Sequence, residues 1–305
     1  RLRHGSESRE EMVTAPSLST LLDSEIRLTA LGATCLSDVL TLAACCRAAR
    51  QATVDPGGKA IVSSLSLAGH LAGKRLRNIS RGFLADLCID VQISPWVARE
   101  VVLSLPPRLR RLDLNLSGCG IGDIGARAVA SFLPPTLEHL HLELRECAVG
   151  SGGCCALAAA LPSSLVWLHL GLCHCRIGDA GAVRIAAALP KELSHLHLDV
   201  ENSCISSQGM KALAQSQPSA LDWLYLDLSR TSIGPAGVQA LAAALPQHLE
   251  YLHLDFSGIY IGPDSILLLA AALPTKMRVL TLGLHRSGAG VAGTRHLAAA
   301  LPSTL

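Results

Sequence analysis

Leu165-Val-Trp-Leu-His-Leu-Gly-Leu-Cys-His-Cys-Arg-Ile-Gly-Asp-Ala-Gly-Ala-Val-Arg-Ile-Ala-Ala-Ala-Leu-Pro-Lys-Glu192 is one unit of a 28-residue metre that decides the fold. From Leu109 onward such blocks follow one another seven times without insertion or deletion, opening at Leu109, Leu137, Leu165, Leu193, Leu221, Leu249 and Met277. Three residues into the blocks stand Leu112, Leu140, Leu168, Leu196, Leu224, Leu252 and Leu280, and two beyond those Leu114, Leu142, Leu170, Leu198, Leu226, Leu254 and Leu282. Further on come a branched apolar column (Ile121, Val149, Ile177, Ile205, Ile233, Ile261), a small-residue column led by Gly125, Gly153, Gly181, Gly209, Gly237 and Gly293, and an Ala-rich run closing in Leu-Pro. A fixed period in the range of about 20 to 50 residues marks a solenoid, in which one unit cannot bury its apolar face alone and neighbours must stack.

Within a block, Leu112-Asp-Leu-Asn-Leu116 alternates apolar and polar, the period that sends one set of side chains inward and the other outward on a strand. The later segment, Gly181 to Leu189 in the quoted block, spaces Ala182, Ile185, Ala186 and Leu189 at helical intervals, with alanine supplying propensity. Pro190 and its counterparts Pro134, Pro162, Pro246, Pro274 and Pro302 then stop the helix, because proline lacks an amide hydrogen and locks φ. One strand and one helix per block, with successive strands running the same way, force right-handed crossovers and a parallel sheet. Helices are wider than the strand spacing of about 4.8 Å. The expected fold is therefore an α/β solenoid, a horseshoe with a parallel concave sheet and convex helices.

Half of the residues are hydrophobic, 16% are charged and the net charge is +2. That balance is far from disordered composition and gives no electrostatic preference for nucleic acid. The basic group Lys74, Arg75, Arg77 and Arg81 reads as a solvated face. Residues 147 to 175 lack charged side chains and mimic a membrane span on hydropathy alone. Gly150, Gly152, Gly153, Pro162 and His169 nevertheless fall where the metre expects loops, helix ends and outward strand positions, so no membrane partner is expected. The first residues are charged and polar, unlike a secretory signal. Arg1 leads the sequence, the first methionine is Met12, and Leu305 opens a new block with no polar cap after it, which reads as a fragment of a longer chain.

The eleven cysteines include no CxxC pair of the kind that zinc ribbons and redox sites use. Cys119, Cys147 and Cys175 share one block position, taken later by Ser203, Thr231 and Ser287, and read as a ladder of small, weakly hydrogen-bonding fillers. Reduced thiols suit a cytoplasmic or nuclear protein.

Ahead of the metre, Leu87, Ile89, Val91 and Ile93 alternate like one irregular strand, with Trp96 to Leu105 as its helix, together an N-terminal capping repeat. Residues 84–305 are thus expected to form the repeat domain and 54–83 a linker and helix. Residues 17–53 carry helical apolar spacing (Leu18, Leu21, Leu22, then Leu36, Val39, Leu40, Leu42, Ala43) ended by Asp55-Pro-Gly-Gly58, and 1–16 form a disordered tail.

The blocks resemble the leucine-rich repeat family over about two thirds of the chain. Their LxxLxL opening and IGDxGAxxLAAAL half are similar to ribonuclease-inhibitor-like repeats. Where that family sets an asparagine, three residues after the second leucine, stand Ser117, Arg145, Cys173, Glu201, Ser229, Ser257 and His285, so no side-chain amide ladder is expected. Cys119-Gly-Ile-Gly-Asp-Ile-Gly125 and Cys175-Arg-Ile-Gly-Asp-Ala-Gly181 resemble the cysteine-containing subclass. An added inward position (Leu116, Leu144, Leu172, Val200, Leu228, Phe256, Leu284) predicts strands slightly longer than in either.

Leu36-Ser-Asp-Val-Leu-Thr-Leu-Ala-Ala-Cys-Cys-Arg-Ala-Ala-Arg-Gln51 resembles the second half of an F-box, the helical module that docks on the adaptor of cullin-type ubiquitin ligases. The resemblance implies an adaptor-binding role for Leu36, Val39, Leu40, Leu42, Cys45, Cys46 and Arg47. The chain departs from the pattern at Pro16-Ser-Leu18, in place of the Leu-Pro opening, and at Ala49, where a tryptophan usually follows the Cys-Arg pair. The alternative is a helical hairpin that seals the end of the solenoid core.

Packing dictates the inward strand positions, so the outward ones carry the functional information. Across the sheet these are Arg111, Asp113 and Asn115; His139, His141 and Glu143; Trp167, His169 and Gly171; His195, His197 and Asp199; Trp223, Tyr225 and Asp227; Tyr251, His253 and Asp255. Of nine aromatic residues in the chain, four stand on this face, an amphipathic anchor set of the kind that dominates protein interfaces. The alternative is that they merely stack in ladders and stiffen the sheet. The column His141, His169, His197, with Glu143 and Asp199 beside it, is not expected to hold a metal, because three imidazoles in a row point the same way rather than converging. Protonation of the cluster below about pH 6.5 is the expected consequence instead.

No phosphate loop, HExxH or GxSxG motif is present, and no cofactor is implied. Activation of the GTPase Ran, known among ribonuclease-inhibitor-like proteins, has no matching loop residues here. The function expected is non-enzymatic recognition of another protein by the concave face. Residues 17–53 would make the chain a substrate receptor of a cullin-type ligase; without that attachment it is a free-standing scaffold of ribonuclease-inhibitor or immune-receptor type.

Overall fold

The computed structural model describes residues 59–63, 86–90 and 109–301. Among them nine strands form one parallel sheet in strict chain order: β1 (Lys59–Ser63), β2 (Asp86–Asp90), β3 (Arg111–Asn115), β4 (His139–Glu143), β5 (Trp167–Gly171), β6 (His195–Asp199), β7 (Trp223–Asp227), β8 (Tyr251–Asp255) and β9 (Val279–Gly283). Each strand from β3 onward is followed by a helix: α1 (Gly122–Phe132), α2 (Ser151–Ala160), α3 (Gly178–Ala188), α4 (Ser207–Gln215), α5 (Gly234–Ala244), α6 (Gly262–Ala271) and α7 (Gly290–Ala300). The sheet lines the concave side of an open solenoid and the helices its convex side. The uncharged run 147–175 resolves into α2, β5 and their loops, and no described helix is long and apolar enough to cross a membrane.

Strand register follows the metre without slippage: Leu112 pairs with Leu140, Leu140 with Leu168, and so on to Leu252 with Leu280. A slip of one residue would turn every leucine to solvent, so the buried face pins the register. The leucine columns in blocks one to six are at most 2% exposed, and the added position Leu116 to Phe256 is fully buried. In the last block Leu280, Leu282 and Leu284 are only partly buried, since no described strand stacks beyond β9.

Two boundaries differ from expectation. The strands are five residues long and begin one position earlier than the leucine alternation suggests, at Arg111 rather than Leu112. Leu116 lies beyond the strand end, yet its amide still donates to Glu143 O at 2.9 Å, so the ladder outlasts the regular strand. In addition, Lys59–Ser63 is a strand paired with β2, within the stretch 54–83 read as linker and helix. At β2, Leu87 pairs with Leu112 and Ile89 with Leu114, as the expected capping repeat requires. Val91, Ile93, the helix read over 96–105, the tail 1–16 and the whole segment 17–53 lie outside the described residues.

Three residues beyond each strand from β3 onward the chain takes the left-handed conformation, at Gly118, Glu146, His174, Asn202, Arg230, Gly258 and Arg286, with φ between 51 and 76. Five of these are not glycine, a conformation that costs about 1 kcal/mol or more each. The neighbouring block holds four of them, since the amides of Glu146, His174, Asn202 and Arg230 donate to Cys173, Glu201, Ser229 and Ser257 carbonyls. No asparagine ladder is needed where main chain bonds main chain. The cysteine column completes the packing: Cys147 Sγ donates to Leu116 O and Cys175 Sγ to Leu144 O, and Ser203, Thr231 and Ser287 hydroxyls donate to Val200, Leu228 and Leu284 carbonyls.

A second device joins the blocks on the helix side. Asp179, in the first turn of α3, accepts hydrogen bonds from Ser206 N at 2.7 Å, Ser206 Oγ at 2.6 Å and Gly209 N at 3.1 Å, capping α4 of the next block. Asp123 does the same for Gly150 N at 2.7 Å, ahead of α2. A Cβ at Gly209 would lie 2.6 Å from Asp179 Oδ1, so glycine there makes room for the cap. Asp179→Ala is expected to cost about 1–2 kcal/mol of stability, as loss of a helix cap does, read from the urea midpoint; a change within about 0.5 kcal/mol, typical of a plain surface site, would refute the role.

Candidate functional site

The outward side chains form three columns on the concave sheet, and each column has its own chemistry. His139, Trp167, His195, Trp223 and Tyr251 make the first, all of them half-buried, with Arg111 exposed at its end. Trp223 stacks on Tyr251 at 4.6 Å between ring centroids and 12° between planes. Beside them runs a continuous ring column: His169 on His197 at 3.7 Å, His197 on Tyr225 at 3.8 Å and Tyr225 on His253 at 3.9 Å, all nearly parallel. One joint differs. His141 meets His169 at 4.1 Å and 65°, edge to face rather than stacked.

The third column is largely acidic, and most of it serves the fold. Asn115, Asp199, Asp227 and Asp255 each accept from the backbone amide two residues on, at 3.0, 3.0, 2.9 and 2.7 Å, closing the turn after the strand. Glu143 is one methylene longer and does not close its own turn. Its carboxylate reaches across to His169 Nε2 on β5, over Gly171, where any Cβ would overlap it. His141 Nε2 lies 3.5 Å from the same oxygen, while His141 Nδ1 bonds Asp113 Oδ1 at 2.8 Å.

These contacts split the titration of the histidines, and the uniform protonation below pH 6.5 is not what the geometry gives. Burial works against charge on His141, but hydrogen bonds to Asp113 and Glu143 outweigh it and lift its pKa to about 9. Burial likewise opposes charge on Glu143, yet hydrogen bonds from His141 and His169 hold its pKa down at about 2. His197 lies inside the stack, where burial and then the neighbouring His169 push its pKa down to about 3. Burial raises Asp199 to about 6 and Tyr225 to about 12, each reinforced by neighbouring acidic groups. One histidine of the column is therefore charged at neutral pH and another resists charging.

A pH dependence follows. His197 prefers its neutral form in the folded state, so the stability it contributes is present above its unfolded value of about 6.5 and is lost as pH falls from there toward 3. The His141 contribution is complete below about 6.5 and is lost as pH rises through 9. Asp199 favours its protonated form, so it opposes the His197 loss below about pH 6. In urea titrations, His197→Phe is expected to lose less stability than the wild-type chain between neutral and mildly acidic pH; parallel losses would remove His197 from that role.

Sequence reasoning missed the charges just before β3, β4, β7, β8 and β9. Glu138 pairs with Arg110 and Glu250 with Arg278, both at 3.3 Å, and His195 Nδ1 lies 3.8 Å from Asp222. Asp222, Glu250 and Arg278 rim a shallow depression floored by Trp223 and Tyr251. Their signal was available, since each precedes an outward aromatic or its counterpart in the block.

The leucine-rich repeat family model matches at two blocks, residues 112–130 and 224–242. Two blocks of this α/β solenoid thus carry the leucine-rich repeat pattern. Among solved structures it is similar to a chain from the crystal structure of the Rad7 and Elc1 complex in yeast, at 16% identity and a TM-score of 0.43, covering 94% of this chain and 78% of that one. Comparison with curated proteins finds no match. Both matched repeats begin at the Leu112 and Leu224 column and end within the following helix, the half of the block that carries the core.

Proposed function

We propose that this chain is a non-enzymatic recognition protein whose concave sheet binds another protein. The observation that carries the reading is the outward placement of Trp167, Trp223, Tyr225 and Tyr251 on one face, half-buried and held in fixed stacks, while leucine fills the inward positions. Rigid aromatic side chains that keep a polar edge free supply contact area at small entropic cost. Arg111, Asp113, His139, His141, Glu143, His169, His195, His197, Asp199, Asp227, His253 and Asp255 surround them and set the polarity a partner must match. The face carries none of the sequence motifs of phosphoryl transfer, metalloprotease or serine hydrolase chemistry. Affinity capture with the full chain and with a Trp167→Ala, Trp223→Ala double variant tests the proposal: proteins held by the face are lost from the variant, and an unchanged set would place binding elsewhere.

The finer reading is a substrate receptor of a cullin-type ubiquitin ligase, supported by the F-box-like sequence Leu36 to Gln51. Deleting residues 17–53 should abolish association with the ligase adaptor and leave concave-face partners bound. If the intact chain never binds the adaptor, the free-standing scaffold is the correct form of the proposal. A cytoplasmic or nuclear location belongs to the same proposal, supported by the seven described cysteines, all free thiols.

A further inference from the structure

We propose that His141 Nε2, His169 Nε2 and the Glu143 carboxylate form a binding site for one divalent transition-metal ion of the zinc class on the concave face. The three ligand atoms lie within 4.8 Å of one another. The separation of His141 Nε2 from Glu143 Oε1 is 3.5 Å, close to the edge of about 3.4 Å in a tetrahedron whose metal–ligand bonds are about 2.1 Å, whereas His169 Nε2 and Glu143 are in direct hydrogen-bond contact and must part to admit the ion.

A parallel imidazole ladder cannot supply such convergence, and the ladder breaks at this joint alone. From His169 to His253 the rings lie nearly parallel, within 21° of one another, and their nitrogens run side by side. At the 65° joint both Nε2 atoms turn toward Glu143. Three local features build the joint. Glutamate at 143 is long enough to leave its own turn, unlike the aspartates of its column. Gly171 leaves the space that the carboxylate fills. Asp113 engages His141 Nδ1 at 2.8 Å and so presents Nε2 to the centre, the arrangement by which carboxylates orient metal-binding histidines.

Without metal, protons hold the cluster together. Glu143 contacts both rings, His169 at Nε2 and His141 at Nε2 3.5 Å away, and each such contact needs a proton between nitrogen and oxygen. A metal bond needs the nitrogen lone pair that such a proton occupies, so uptake of the ion displaces a proton to solvent and weakens as pH falls. His197, stacked flat on His169, fixes the ring without ligating. The side chains of His141, Glu143 and His169 are 31%, 23% and 14% exposed, which leaves the fourth position open to water or to a partner's side chain from the hollow of the solenoid.

Calorimetric titration of the full chain with zinc chloride near neutral pH, in two buffers of different ionisation enthalpy, tests the site. The expected result is saturation by one zinc with proton release, abolished in both His169→Ala and Glu143→Gln and retained in His253→Ala. Asp113→Asn should weaken binding about 10- to 100-fold, as loss of an orienting carboxylate does. Cys173→Ser separates this site from the second cluster of Cys173, His174 and Glu201, whose thiol donates to Glu201 at 3.1 Å and is pushed up in pKa by burial. Zinc binding should survive that change, and cobalt(II) should give visible absorption without a sulfur charge-transfer band. Glu143→Gln is nearly isosteric and reports on the site even if His169→Ala fails to fold. Failure to bind at millimolar zinc, or binding that survives both His169→Ala and Glu143→Gln, overturns the proposal.

Discussion

Leu196→Ala lowers the free energy of unfolding by about 2–5 kcal/mol, the cost of a cavity in a core that relaxes only partly. Leu196 is 2% exposed on β6, paired with Leu168 on one side and Leu224 on the other. Every block of a solenoid leans only on its neighbours, so the truncated side chain weakens two interfaces at once. Urea denaturation measures the loss. Val166, 41% exposed one residue ahead of β5, is the matched control, and its alanine variant should stay within about 0.5 kcal/mol of wild type. Equal costs at the two positions would mean that the leucine columns do not form the core.

Trp223→Ala weakens partner binding by at least about 2 kcal/mol, the threshold of an interface hot spot, or roughly 30-fold in Kd. Trp223 lies in the middle of the face, stacked on Tyr251 at 4.6 Å and flanked by His195, His197 and Tyr225 at 6.1 to 6.3 Å. Neighbours already hold the ring, so a partner meets it without further ordering cost. The same neighbours bound the effect on folding, since loss of one stacked aromatic pair removes about 0.5–1.5 kcal/mol beyond its buried area. Trp167→Ala, between His139 and His169 on the ring contacts of β4 and β5, should behave alike. Titration of the captured partner against each variant measures this, and unchanged affinity in both would move the binding surface off the concave sheet.

The fold was legible because one rule repeats: leucine at two fixed positions of each block needs a shared interior, and only parallel stacking provides it. That rule sorts inward from outward side chains without any knowledge of their contacts. It is silent on β1, where Lys59-Ala-Ile-Val-Ser63 carries no leucine column to mark the register. It is equally silent on the aspartates of the third column, since whether one also bonds an amide two residues on depends on the turn conformation. The short spacing from Asp227 to Ser229 and from Asp255 to Ser257 was a usable cue. The joint between His141 and His169 was beyond sequence reasoning for a different reason. It arises from Glu143 lying over the space of Gly171, 28 positions after it in the chain, and rotamers that depend on such a neighbour leave no local pattern.

Acrylamide quenching of tryptophan fluorescence in a Trp96→Phe chain reports directly on which way the strand side chains face, because Trp167 and Trp223 are then the only emitters. With the leucines inward and the aromatics lining the hollow, both indoles are half-exposed, and the native protein should be quenched to a substantial fraction of the extent seen in urea. Native fluorescence that resists acrylamide, recovering its sensitivity only on unfolding, would place the tryptophans in the interior and contradict the inward leucine columns on which the binding face depends.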